Sequence, residues 1–72
     1  MPRYRVEMAT NPAPGLEFYR GHVDCTAYPS DSDDDEPTRD DVFRAAVREL
    51  QRTAFPDRGV NCWRMIDFAR TD

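Results

Sequence analysis

The sequence predicts an α+β domain of order β-β-α-β, with one helix packed on a three-stranded antiparallel sheet. Residues 3–10 alternate between apolar and polar side chains, residues 39–54 carry an amphipathic stripe, and residues 61–69 return to a strand-like pattern. The 72 residues leave room for a single domain over residues 1–72. Because a chain this short buries only about 60% of the surface that its unfolded form exposes, a homodimer interface or a partner surface could supplement the core.

The first strand is predicted from a period of two over residues 3–10. Tyr4, Val6 and Met8 share one face, and the charged residues between them occupy the other. Residues 11–15 follow and contain two prolines and a glycine. This composition prevents strand pairing and favours a turn, so we expect a hairpin connection.

The second strand is predicted over residues 16–28. Its first apolar residues and those from Val23 onward have opposite parity, and Gly21 lies between the two sets. A bulge near Arg20 and Gly21 would bring both sets to the same face. The alternative is two short strands with a bend. Pro29 ends the pairing.

A loop over residues 29–38 leads into the predicted helix at 39–54. Thr38 and Asp41 have the spacing of a capping box, with Asp in place of the usual Glu. Apolar side chains then repeat at three- and four-residue steps, and Pro56 stops the helix. The residues of this stripe are Val42, Phe43, Ala46, Val47, Leu50 and Ala54.

The last strand is predicted over residues 61–69. Alternation puts Trp63 and Met65 on one face and Cys62, Ile66 and Phe68 on the other. Apolar groups on both faces are typical of a central or doubly covered strand.

Charge is concentrated in residues 31–41, here called the acidic segment. It holds seven of the fourteen acidic residues and one arginine, a formal charge of −6, whereas the remaining nine arginines and seven acids give +2. Unpaired carboxylates are costly to bury, so the segment must lie in water or against a cationic surface. Its candidate partner-binding residues are Asp31, Asp33, Asp34, Asp35, Glu36, Asp40 and Asp41, with Glu17 and Asp24 as additions from the sheet.

Two other interpretations of the acidic segment are a solvated loop and a cation site. Asp31, Asp33 and Asp35 match the first three ligand positions of an EF-hand loop. Glu36 then stands where glycine is needed, and Val42 where a bidentate Glu is needed. The sequence excludes an EF-hand and leaves only weak divalent-ion binding open. We expect no metal and no cofactor.

A row of arginines, Arg44, Arg48 and Arg52, follows one face of the predicted helix at four-residue spacing. It could be a solvated face, a bridge back to the acidic segment, or a stripe that contacts phosphates. The acidic balance of the chain, with a pI of about 4.8, argues against direct nucleic-acid binding.

Catalysis has little support. The only histidine, His22, is three residues from Cys25, so on a regular strand the two side chains face opposite ways. Cys25 and Cys62 fit two reduced thiols rather than a disulfide scaffold or a zinc site. We therefore expect a protein that is not an enzyme.

The compartment follows from what the sequence contains. It has no apolar run near 18 residues, and its first residues lack the apolar core of a signal peptide. These features predict a cytoplasmic protein without membrane contact. Ten arginines and no lysine are typical of a high-GC genome, as in many bacteria and their phages.

The first hairpin reads Thr10-Asn11-Pro12, then Gly15, then Glu17-Phe18-Tyr19. It resembles the opening hairpin of family seven of the type I-F anti-CRISPR proteins, which are small acidic phage products. The order of acidic segment, amphipathic helix and final strand with Trp63 is also similar. Glu17 is the one acidic residue that carries over by position. In that family the helix itself is acidic, whereas here it carries the arginine row.

The resemblance implies a DNA mimic that occupies the site where a CRISPR surveillance complex reads the motif flanking its target. We therefore expect a phage-encoded inhibitor, acting in the cytoplasm of the bacterial host. Its carboxylates would bind a protein partner with a basic nucleic-acid-binding groove, and it would be a monomer or a homodimer. The alternative is a small dimeric antitoxin-like or regulatory module in which the acidic segment is a solvated loop.

Overall fold

The computed structural model describes residues 2–12, 14–15, 17–30 and 35–71. The predicted architecture is confirmed: one helix packs on a three-stranded antiparallel sheet of order β2-β1-β3. The elements, in chain order, are β1 (Arg3–Thr10), β2 (Arg20–Thr26), α1 (Arg39–Thr53), a 3-10 turn (Val60–Cys62) and β3 (Trp63–Arg70).

β1 is the central strand and has the predicted bounds. Tyr4, Val6 and Met8 are buried beneath α1, and Arg5 on the opposite face is exposed. The period of two in the sequence therefore reports which face the helix covers.

β2 starts at Arg20, four residues later than predicted, and pairs with β1 without interruption from Arg20 to Thr26. The predicted bulge near Gly21 is therefore wrong. Phe18 lies before the strand and is exposed, whereas Tyr19 packs against the core. Position 21 requires glycine because the Tyr19 side chain covers it. A Cβ at this position would lie 2.5 Å from the Tyr19 hydroxyl oxygen.

β3 is an edge strand, so the prediction of a central strand is wrong. Its register against β1 shifts between the pairs Glu7–Asp67 and Met8–Met65, which leaves Ile66 without an opposite residue. This bulge brings Phe68 to the same face as Met65. The apolar residues of β3 thus follow an interrupted alternation rather than two covered faces.

α1 buries Val42, Ala46, Val47 and Leu50 against the sheet. The helix ends where the backbone N–H groups of Ala54 and Phe55 both donate to the Leu50 carbonyl oxygen, at 2.9 and 2.8 Å. Pro56 follows directly, and it lacks the N–H needed to continue the helix.

An aromatic cluster of Tyr19, Phe55 and Trp63 closes the core beyond the C-terminal end of α1. The ring centroids lie 5.0 Å apart for Tyr19 and Phe55, 5.3 Å for Phe55 and Trp63, and 5.9 Å for Tyr19 and Trp63. The Arg58 guanidinium carbon lies 4.8 Å from the Phe55 centroid. The tilted geometry is the one that aromatic pairs prefer, and the cluster fixes both loops that enter this end of the sheet.

Candidate functional site

The N-terminal end of α1 is fixed by a reciprocal capping box. The Thr38 hydroxyl oxygen accepts a hydrogen bond from the Asp41 backbone N–H at 3.2 Å, and the Asp41 carboxylate accepts one from the Thr38 N–H at 2.9 Å. The same carboxylate oxygen also accepts from the Ser30 N–H at 3.2 Å. Asp41 therefore links Ser30, the residue before the acidic segment, to the first turn of α1.

Hydrogen bonds to the charged form hold the pKa of Asp41 below its ordinary value. The backbone N–H of Thr38 is the main cause, and Ser30 adds to it. The carboxylate is thus charged throughout the neutral range, and it also lies at the positive end of the helix dipole. Of the predicted binding residues that the structure describes, Asp41 is the one whose side chain accepts hydrogen bonds from backbone N–H groups.

The other described carboxylates of the acidic segment are exposed. Asp35 lies in solvent, and the side chains of Glu36 and Asp40 are 75% and 66% exposed. Asp40 forms an ion pair with Arg44 at 2.9 Å, and Glu36 lies 3.7 Å from Arg70. Asp31, Asp33 and Asp34 lie outside the described residues.

Glu17 and Asp24 are not gathered with the acidic segment. Asp24 lies on the sheet face opposite α1, where its carboxylate pairs with Arg5 at 3.2 Å. Glu17 lies in the connection that joins the far ends of β1 and β2. It therefore lies before β2, whereas the acidic segment follows β2.

The arginine row divides into different environments. Arg44 bridges back to Asp40, as one of the predicted alternatives had it. Arg52 donates to both carboxylate oxygens of Glu49, which lowers the pKa of Glu49 and raises that of Arg52. Arg48 is exposed and forms no ion pair within the described part of the chain. The row is thus interleaved with acids rather than continuous.

The sheet face away from α1 is open and carries charges of both signs. Glu7 at its centre accepts from Arg20 at 2.7 Å, and Arg5 pairs with Asp24. A face of this kind is unsuited to an apolar dimer contact, because its charges would have to be desolvated.

His22 and Cys25 do not form a catalytic pair. His22 lies on the open face opposite Glu7, whereas Cys25 is buried on the helix side, since β2 alternates regularly. Burial raises the pKa of the Cys25 thiol, which keeps it in its weakly nucleophilic form.

Over residues 2–12, 14–15, 17–30 and 35–71, no three His, Cys, Asp or Glu side chains lie close enough together to hold a metal ion. None of the helices in this part of the chain has the length and apolar character needed to cross a bilayer.

Of the nine predicted binding residues the structure describes six, of which Asp35, Glu36, Asp40 and Asp41 lie at the start of α1 and Glu17 and Asp24 lie elsewhere. The sequence assigned Asp41 to the helix cap from its spacing to Thr38, and it also counted Asp41 among the binding residues. In the structure the Asp41 carboxylate caps the helix, whereas Asp40 beside it is exposed. Comparison with protein-family models, with curated proteins and with solved structures found no match for this chain.

Proposed function

We propose that this protein inhibits a nucleic-acid-binding complex by docking its acidic segment into a basic groove of that complex. The observation that carries the proposal is that the carboxylates at the start of α1 lie in two different environments. Asp41 is fixed by the Thr38 and Ser30 N–H groups, while Asp35, Glu36 and Asp40 project into solvent. Exposed carboxylates on a fixed base can occupy positions that DNA phosphates would otherwise fill.

The protein's own arginines do not prevent these carboxylates from binding a partner. Arg44 and Arg70 contact Asp40 and Glu36, but all four side chains are 47% exposed or more. Exposed ion pairs contribute only about 0.2–1 kcal/mol and weaken with salt. Several arginines or lysines in a partner's groove would compete well against such contacts. Binding of this kind should therefore decrease steeply with ionic strength.

The resemblance of the first hairpin to an anti-CRISPR family favours a CRISPR surveillance complex as the partner. In that setting the protein would act in the host cytoplasm, without chemistry of its own and without binding DNA directly. Glu17, the residue that the resemblance carries over, lies in the connection between β1 and β2 and not in the acidic segment. It would therefore be a contact additional to those of Asp35, Glu36 and Asp40.

The test is competition for a purified type I-F surveillance complex. Labelled target DNA is bound to the complex, and the protein is added at increasing concentration while DNA release is followed by fluorescence anisotropy. We expect full displacement at low salt and much weaker displacement at high salt. DNA without the complex is the control and should show no change. Failure to displace DNA at any salt concentration would reject this complex as the target.

A further inference from the structure

A second surface lies between the start of α1 and the start of β3. It is a groove of about 450 Å³, here called the β3 groove. α1 packs mainly over β2, so the helix side of β3 is less covered. The lining residues are Arg39, Asp40, Phe43, Trp63, Arg64 and Met65.

The β3 groove opens along the edge of the sheet. Trp63, Arg64 and Met65 are consecutive residues of β3, and all three line the groove. Because successive side chains of a strand point to opposite faces, three consecutive residues can line one groove only if the groove also exposes their main chain. In the described part of the chain β3 pairs with β1 and with no other strand. Along its outer edge the Trp63 carbonyl oxygen accepts from the Asn11 side chain at 3.4 Å and the Phe68 N–H donates to Asp67 at 2.9 Å, so the edge is open for pairing between them, at Met65.

The hydrogen-bond pattern identifies which groups face outward. The Asn11 N–H donates to the Cys62 carbonyl oxygen at 2.8 Å, so residues that exchange hydrogen bonds with β1 recur every second residue from Cys62. Arg64 belongs to this set, and Met65 does not. The N–H and C=O of Met65 consequently point to the outer edge.

The charges around the β3 groove select its occupant. Arg39 and Arg64 are exposed and form no ion pair with any described residue. The lining holds these two arginines and one carboxylate, Asp40, so its net charge is positive. The apolar floor is supplied by Phe43 and Met65, together with Trp63. The surface thus combines an apolar floor, an open strand edge and two available cations.

We propose that the β3 groove binds an extended acidic peptide segment of a protein partner, which adds to β3 as a fourth strand. An apolar side chain of the peptide would pair with Met65 and lie against Phe43. Its neighbours on either side would point to the opposite face, where the one across from Arg64 would carry a carboxylate. The recognised pattern is therefore an apolar residue with an acidic neighbour, and an acid on both sides of the apolar residue allows either strand direction. Main-chain pairing supplies affinity, and the alternating side chains supply specificity.

A second copy of the chain is the other occupant that an open strand edge can take. Arg64 and Asp67 lie on the open face of the sheet and Arg70 on the helix side, so the charges of β3 do not oppose the pairing of two copies. The acidic peptide is favoured because the lining of the groove carries a net positive charge, and the oligomeric state of the protein without peptide separates the two occupants. Arg39 and Asp40 of the groove belong to the acidic segment, but the proposal does not require the function proposed above.

The probe is a synthetic peptide with blocked ends and the sequence Ser-Glu-Leu-Glu-Ser, titrated into ¹⁵N-labelled protein and followed by NMR. We expect saturable shifts at the Met65 amide and at the indole N–H of Trp63, the only tryptophan. Amide exchange at Met65 should slow on binding. A peptide with Lys in place of Glu, and one N-methylated at Leu, should each bind about tenfold more weakly, because they lose the charge pairing or the edge hydrogen bond.

Charge-reversal variants provide the matched control. Arg64→Glu should weaken binding of the acidic peptide about tenfold, since an attraction across neighbouring strands becomes a repulsion. Arg48→Glu makes the same change in net charge at an exposed helix position away from the β3 groove, and it should leave binding unchanged. Equal losses in the two variants would overturn the proposal, as would shifts that map to another surface. Concentration-dependent dimerisation that perturbs Met65 without added peptide would assign the edge to a second copy instead.

Discussion

The aromatic cluster and the acidic segment lie beyond opposite ends of α1 and differ in how much of each the fold uses. In the cluster, Trp63 is 3% exposed and contacts both other rings. In the described part of the acidic segment, Asp41 is held by hydrogen bonds while the Glu36 side chain is 75% exposed. The aromatic rings are therefore occupied by packing in the core, whereas the Glu36 carboxylate remains exposed to solvent. Changes at the two ends should separate stability from binding.

The largest loss of stability is expected at the cluster. Trp63→Ala removes a buried ring that contacts Tyr19 and Phe55, which should cost about 3–5 kcal/mol in the free energy of unfolding. Small domains have only about 5–15 kcal/mol in total. Urea denaturation followed by circular dichroism measures the change. Val60→Ala, at a position 46% exposed, is the control and should stay within about 0.5 kcal/mol.

The next effect concerns the contact between Gly21 and the cluster. Gly21→Ala places a Cβ 2.9 Å from the Tyr19 ring, so Tyr19 or the strand must shift, at a cost of about 1–3 kcal/mol. Gly59→Ala is the matched control, because no atom lies within 4 Å of its Cβ position. In a Tyr19→Phe background the closest clash is absent, and the cost of Gly21→Ala should decrease. An equal cost in both backgrounds would show that Tyr19 is not the reason for glycine at this position.

A smaller loss is expected at the helix cap. Thr38→Ala removes the oxygen that accepts from the Asp41 N–H and should cost about 1 kcal/mol. Thr71→Ala, after the end of β3, changes the same side chain at an exposed site and should have no measurable effect. Chemical denaturation of both variants at neutral pH makes the comparison. No difference between them would contradict the role of the capping box.

Asp41 also makes stability dependent on pH. Its pKa in the folded state lies below the ordinary 3.8, so its contribution is fully present above pH 3.8 and is lost as the pH falls through the folded-state value. Asp41→Asn should therefore reduce the acid dependence of the unfolding free energy in this window. Asp35→Asn, which removes an exposed carboxylate, is the charge-matched control and should change the dependence less than Asp41→Asn. The opposite ranking would mean that the capping hydrogen bonds do not persist in solution.

Local patterns in the sequence were sufficient for most of the fold. The alternation around Val6 and the spacing from Thr38 to Asp41 depend on neighbours in sequence, and both predictions match the structure. The positions of the irregularities depend on strand partners instead. Glycine at position 21 suggested a bulge, but the reason for it is the Tyr19 ring, and the bulge occurs at Ile66. Nothing local distinguishes these two causes of a small residue or a broken alternation.

The candidate site was predictable to a similar extent. The density of acids in residues 31–41 indicates an exposed surface, because carboxylates without partners are not buried. The contacts of Asp24 with Arg5 across β-strands, and the distance of Glu17 from the segment, depend on register and topology. The β3 groove could not be predicted, because it requires knowing that β3 is an edge strand and that α1 lies over β2.

The most direct test of the central claim is the salt dependence of binding to the surveillance complex, measured for two double variants of equal net charge. Asp35→Asn with Glu36→Gln removes two carboxylates from the acidic segment, and Asp57→Asn with Asp67→Asn removes two elsewhere. Both should keep the unfolding free energy within about 0.5 kcal/mol per substitution. We predict that only the first variant binds more weakly and shows a shallower decrease of binding with increasing salt concentration. Equal binding and equal slopes for the two variants would contradict the account.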